Sequence, residues 1–189
     1  QNRLMIRDCE SCPERILIDP NDFSNDGTVS LASVSVSPNA EWIAFAKSDG
    51  GSDWRTWKIM NIASGEILDD EIEWSKFSSA EWSPDSKGFF YRKYLKPDGE
   101  ELLDLNSSPK LMFHSIGTDQ INDQIIIWDK NDPLLSRSIK VSDDGQYKIL
   151  FTEKGTDERN LISISRYDDE EFIAVIDEFI ASYTFIDSE

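Results

Sequence analysis

Apolar and polar residues alternate along most of the chain, as in Val34-Ser35-Val36 and Ile139-Lys140-Val141, and no long run has helical spacing. Three stretches, residues 34–45, 80–91 and 139–151, share one grammar. An alternating strand ends at Ser37-Pro38, Ser83-Pro84 or Ser142-Asp143, two to four turn-forming residues follow, and an aromatic or β-branched strand leaves. This is the signature of a β-hairpin. The three serines are 46 and 59 residues apart, close to the repeat of a four-stranded propeller blade, with the longer interval carrying a polar insertion at 96–108 that reads as a surface loop.

Each hairpin is followed by a third and a fourth strand: 56–62 then 67–68, 110–116 then 125–128, and 161–165 then 172–176. One more strand pair, 3–7 and 15–18, precedes them, and 179–187 reads as the first strand of a further unit. Residues 170–181 suit a helix or a strand pair equally. The expectation is an all-β partial propeller: 1–30 as the second half of blade one, 31–76 blade two, 77–135 blade three, 136–178 blade four and 179–189 the start of the next. With Gln1 leading almost directly into a strand, the sequence reads as part of something longer.

Composition narrows the partners. The 189 residues are 39% hydrophobic, enough for a packed core, and 37 acidic against 19 basic side chains give a net charge of −18. That sign opposes binding to nucleic acid or to an anionic membrane. No apolar run reaches the roughly 18–20 residues of a membrane helix. Cys9 and Cys12 are too few for a disulfide scaffold, which favours a reducing compartment, the cytoplasm.

Few residues offer chemistry. His114 is the sole histidine and sits mid-strand, where a packed or locally hydrogen-bonded ring outweighs a general base or metal ligand. Gly50-Gly51-Ser52-Asp53-Trp54 approaches a nucleophile elbow but lacks the second glycine and reads as a hairpin turn. Cys9-x-x-Cys12 lacks a second ligand pair and reads as two loop thiols rather than a zinc or redox site. The stretch 22–27 mimics the start of a calcium loop, but Ser33 stands where a bidentate Glu is required. Asn106-Ser107-Ser108 is a glycosylation sequon, relevant only if the protein is secreted. The nine glycines form no phosphate cradle or dinucleotide fingerprint, so neither a cofactor nor a metal is expected. The six tryptophans fall on strand positions and read as filler between blades rather than as a ligand cage.

Several unusual strings occur in a fixed order: Asp19-Pro20-Asn21 running on to Ser24-Asn25-Asp26-Gly27-Thr28, then Gly51-Ser52-Asp53-Trp54-Arg55-Thr56, Trp74-Ser75-Lys76-Phe77-Ser78, residues 82–91, Phe113-His114-Ser115-Ile116-Gly117-Thr118-Asp119-Gln120 and Val141-Ser142-Asp143-Asp144-Gly145. Together they resemble the N-terminal propeller of the prolyl oligopeptidases, serine peptidases of the S9 type. The resemblance implies a seven-bladed propeller covalently joined to an α/β-hydrolase domain, in an enzyme that cleaves short peptides after proline. It also implies that the Ser, Asp and His of catalysis lie in that other domain, so no catalytic residue is expected in this chain. The propeller's part is to admit small peptides and to line some of the cleft. Phe77 corresponds to a phenylalanine of an apolar subsite upstream of the proline, and Ser136 and Thr156 stand where the family has a methionine and a cysteine, which makes the subsite more polar. Two other readings share the hairpin grammar: a non-catalytic propeller scaffold that binds proteins or peptides, and the propeller of a related oligopeptidase that cuts after basic residues.

Overall fold

A computed structural model describes residues 1–96 and 108–186. The insertion at 96–108 and the sequon at Asn106 therefore fall largely outside the described residues. The strands are β1 (Leu4–Arg7), β2 (Glu14–Ile18), β3 (Val29–Val36), β4 (Trp42–Asp49), β5 (Arg55–Asn61), β6 (Ile72–Ser75), β7 (Glu81–Trp82), β8 (Gly88–Lys93), β9 (Lys110–Ser115), β10 (Gln124–Ile127), β11 (Leu135–Val141), β12 (Tyr147–Lys154), β13 (Asn160–Arg166) and β14 (Ile173–Ile176). All pairings among them are antiparallel. β1 pairs β2, β3 to β6 form a meander, β7 to β10 form a second, and β11 to β14 a third. A single pairing, Ser75 with Lys93, joins the first two meanders into one eight-stranded sheet. Among the described residues no sheet closes on itself.

The core lies between consecutive meanders, and strand alternation builds it. On β4, Ile43 and Phe45 pack with Ile18 of β2 and Met60 of β5, while Ala44 and Ala46 share a cluster with Trp57, Trp82, Phe89 and Tyr91. On β8, Phe89 and Tyr91 belong to that cluster, whereas Phe90 joins Leu111, Ile139, Val141 and Leu150. Both faces of a middle strand are thus covered, so β8 is buried at five of its six positions, from Gly88 to Arg92. Trp57, Phe45, Phe89 and Tyr91 are each at most 1% exposed, and burying a ring of this size contributes roughly 2–3 kcal/mol.

The three serine hairpins prove to be one structure used three times. Ser37 Oγ donates to Asn39 Oδ1 at 2.7 Å and accepts the Trp42 N–H at 2.9 Å. Ser83 does the same with Asp85 (2.7 Å) and Gly88 N–H (3.2 Å), and Ser142 with Asp144 (2.6 Å) and Tyr147 N–H (2.9 Å). In each turn the second side chain also accepts the N–H two residues on, from Glu41, Lys87 or Gln146. All three serines are at most 3% exposed. The third residue after each serine is left-handed: Ala40 at φ 57°, Ser86 at 60° and Gly145 at 71°. A Cβ there costs about 1 kcal/mol. Ala40→Gly is therefore expected to raise the melting temperature by roughly 2 °C in a thermal scan, while Ser86→Gly gains less because Ser86 Oγ accepts the Asn39 N–H at 3.1 Å from the neighbouring hairpin.

Three expectations are corrected. The fourth strand of the first meander is β6 at Ile72–Ser75, and Ile67 makes only an isolated bridge to Met60. The turn after β5, where Asn61 Oδ1 accepts both Ala63 N–H and Ser64 N–H, sends the chain back along β5, with Leu68 N–H donating to Ile59 O, but regular pairing resumes only at Ile72 opposite Trp57. Residues 179–186 form no strand. Asn160 donates to Tyr183 O at 2.9 Å and accepts Tyr183 N–H at 2.7 Å, folding the segment against the start of β13 in irregular form. Cys9 and Cys12 are joined as a disulfide rather than standing as two loop thiols. The turn between β1 and β2, with Cys12 N–H donating to Cys9 O, brings their Cα atoms to 5.0 Å, inside bonding range.

Candidate substrate-facing site

A cavity of about 280 Å³ opens between β8 and β9 on one side and β11 and β12 on the other, lined by Phe77, Ser78, Arg92, Leu111, Arg137 and Glu153 among others. Its polar wall is cross-linked. Arg92 Nη2 meets Glu153 Oε2 at 3.0 Å and Arg92 Nε donates to Arg137 O at 3.2 Å, tying the second meander to the third. Arg92 is 7% exposed, so this pair is worth more than a surface ion pair. Ser136 Oγ donates to the same Glu153 oxygen at 3.2 Å. Arg137 has Asp129 at 3.7 Å, and burial pulls its pKa down from the ordinary guanidinium value.

The three residues singled out in the sequence occupy different positions. Phe77 lines the cavity with its side chain 46% exposed, an unusual setting for a phenylalanine. Ser136 reaches the cavity wall through Glu153. Thr156 is exposed at the turn between β12 and β13, just past Gly155, whose N–H bonds Leu134 O, and it is not among the cavity-lining residues. Sequence reading missed Arg92, Arg137 and Glu153. Each is a charged residue on a strand with no spacing that marks it, and only the packing of two meanders turns them into a wall.

Phe77 sits at φ 49° and Trp74 at φ 59°, two non-glycine residues in the left-handed region within four positions. Such geometry persists only when the surroundings fix it. Here Trp74 O accepts the Tyr94 N–H at 2.8 Å, Ser75 Oγ accepts from Trp57 Nε1 at 3.2 Å, Ser78 O accepts from Arg55 Nη1 at 2.8 Å, and Ser78 Oγ accepts the Arg92 N–H at 2.8 Å. Lys76 Nζ lies 3.9 Å from the ring centre of Trp54 and 5.1 Å from that of Tyr94. Trp57 and Trp82 do fill the space between meanders, but Trp54 and Trp74 instead form an edge-to-face pair in an aromatic box occupied by the chain's own lysine. The Gly50–Gly51 pair, at φ 55° and 73°, makes the hairpin turn that delivers Trp54.

His114 is fully buried, and its partners come from across the fold as well as nearby. Nδ1 lies 2.8 Å from Asp123 Oδ1 and Nε2 lies 3.0 Å from Asp70 Oδ2, with Asp70 supplied by the loop ahead of β6. Asp70 also accepts the Gly117 N–H at 2.7 Å, and Asp123 accepts from Tyr91 OH at 2.6 Å. Burial opposes protonation of the ring, but the hydrogen bond and charge of Asp123, then those of Asp70, outweigh it and raise the pKa above the ordinary imidazole value. With Asp123 on one ring nitrogen and Asp70 on the other, neither nitrogen is left open toward a substrate or a metal. Among the described residues no group of three His, Cys, Asp or Glu side chains could hold a metal ion.

The model of the prolyl oligopeptidase N-terminal β-propeller domain matches residues 1–189. A prolyl endopeptidase from Elizabethkingia meningoseptica is 33% identical over 175 residues, covering 92% of this chain and 25% of its own length. A prolyl endopeptidase structure superposes with TM-score 0.86 at 28% identity over all of this chain and 27% of its own. Prolyl oligopeptidase B from Galerina marginata, solved with a 35-residue hydrolysis and macrocyclization substrate, superposes with TM-score 0.85 at 27% identity over 93% of this chain and 26% of its own. The chain thus spans about a quarter of the length of the relatives it matches. The match from end to end, the open row of antiparallel sheets and the order of the strings agree: the chain belongs to the prolyl oligopeptidase N-terminal β-propeller family.

Proposed function

We propose that this chain is the substrate-gating propeller portion of a serine endopeptidase that hydrolyses short peptides after proline, covalently joined in the whole protein to an α/β-hydrolase domain that carries the Ser-Asp-His triad. In this reading the propeller limits which peptides reach the triad, Phe77 lines the cleft upstream of the proline, Ser136 acts on its wall through Glu153, and Thr156 lies outside the cavity. The observation that carries it is Phe77, half-exposed on a polar-walled cavity and held in a costly backbone conformation that core packing alone does not call for. The bond of Ser136 to Glu153 makes the neighbouring wall polar, so apolar contact with a peptide falls mainly to Phe77.

The relatives' names favour this reading over a non-catalytic scaffold. Likeness to oligopeptidase B from Leishmania major, at 18% identity and TM-score 0.68, extends to the fold alone. The test is steady-state cleavage of proline peptides by the full-length protein and its Phe77→Ala variant. Losing one apolar contact of about 1–2 kcal/mol should lower kcat/KM some 5- to 30-fold for peptides extending several residues upstream of the proline, and leave short ones within twofold. Absence of proline-peptide cleavage, or equal kinetics for the two proteins, would overturn it.

A further inference from the structure

We infer that Lys76 is a positioning residue for substrate selection: its ammonium, seated in the Trp54–Tyr94 box, holds Phe77 at the tip of a strained segment in the cavity. This rests on the reading of Phe77 as a cleft residue.

Within residues 74–78 every neighbour of Phe77 is tied down. Trp74 bonds the backbone of Tyr94, Ser75 bonds Trp57, and Ser78 is held at its carbonyl by Arg55 and at its hydroxyl by the backbone N–H of Arg92. Lys76 is the tie immediately before Phe77. It is 4% exposed, rare for a lysine, and lies over two rings at 3.9 and 5.1 Å. A cation desolvated over aromatic faces contributes about 2 kcal/mol, the same order as the cost of the two left-handed residues that bracket it. The box is built from two separate hairpin arms, Trp54 before β5 and Tyr94 after β8, with Trp54 edge-on to both Trp74 and Tyr94. Lys76 and Phe77, as sequence neighbours with φ 49° at Phe77, form a lever in which one side chain is anchored in the protein and the next projects into the cavity. Release of the anchor lets the backbone relax toward the common negative-φ region and swings the phenyl ring off its station.

The experiment uses the full-length protein and two fluorogenic peptides ending in proline amide, one with a bulky apolar residue two positions upstream of the proline and one too short to reach Phe77. Lys76→Met should raise KM for the long peptide 3- to 10-fold, with kcat and the short peptide within twofold. Lys76→Arg, which keeps a cation over the rings, should restore wild-type KM within twofold. In the Phe77→Ala background, Lys76→Met should change nothing further, because the group it positions is gone. Should Lys76→Met fail to fold, Trp54→Phe, which weakens the box, is expected to give a smaller shift of the same kind. Equal losses on both peptides, or an additive effect in the Phe77→Ala background, would overturn the inference. If Phe77→Ala itself does not discriminate the peptides, the subsite reading fails; if it does and Lys76→Met does not, the positioning role alone fails.

Discussion

Gly88→Ala is expected to prevent stable folding. A Cβ at Gly88 would lie 2.2 Å from the backbone oxygen of His114 and 2.6–2.8 Å from the ring of Phe113. The carbonyl cannot step aside, because β8 and β9 are in register there, with Gly88 opposite Ser115 and Phe89 opposite His114. Parting these strands would also pull Gly88 from Ser83, whose backbone and hydroxyl both bond it. We expect a loss of at least about 4 kcal/mol, seen as insoluble expression or the absence of a cooperative melt. Gly65→Ala is the control. That position has a left-handed φ of 75° but open space around it, so the cost should stay near 1 kcal/mol and the protein should melt only a few degrees lower. A Gly88→Ala protein as stable as Gly65→Ala would show that β8 and β9 can yield.

His114→Phe is the second large effect. It leaves Asp70 and Asp123 facing an apolar ring, both nearly or fully buried, and losing one partner of a buried charge network typically costs about 3–5 kcal/mol. For a domain of this size that is a fall of roughly 10 °C in melting temperature. His114→Gln keeps one donor and should lie between. The same group predicts a pH dependence. Its folded pKa is raised above the unfolded value of about 6.5, so its stabilisation is complete below that pH and is lost as pH rises through the folded pKa. Wild type should lose stability relative to His114→Phe as pH climbs from 6 to 9 in paired thermal melts. Parallel curves over that range would rule out a charged ring. Tyr91, whose hydroxyl pKa is pushed up by burial and then by Asp123, stays neutral throughout and does not contribute.

Much of the fold could be read along the chain because the information is local. A serine that stops a strand, a short carboxylate or amide two positions later, and an alternating apolar strand on either side place each hairpin without reference to its neighbours. What lay beyond sequence reading depends on how neighbouring meanders meet. The pairing of Arg92 with Glu153 spans 61 residues and that of His114 with Asp70 spans 44, and neither carries a spacing that a single strand displays. The fourth strand expected at 67–68 was misplaced because its adjacent apolar pair stands out in the sequence, whereas the regular pairing lies a few residues on, at Ile72–Ser75. Phe77 was singled out only through a resemblance of strings. Lys76 was not singled out at all, because in a row of letters it looks like a solvated charge, and only the return of Trp54 and Tyr94 to one spot buries it.

The thrice-used serine turn has a bearing on how such an array could arise. Each copy carries its own stop, its own register and its own tip geometry within about a dozen residues, and borrows from the next copy only a contact such as Asn39 N–H to Ser86 Oγ. A duplicated length of coding sequence would therefore arrive already able to set its strands in order, and selection would have only the seams between copies left to refine.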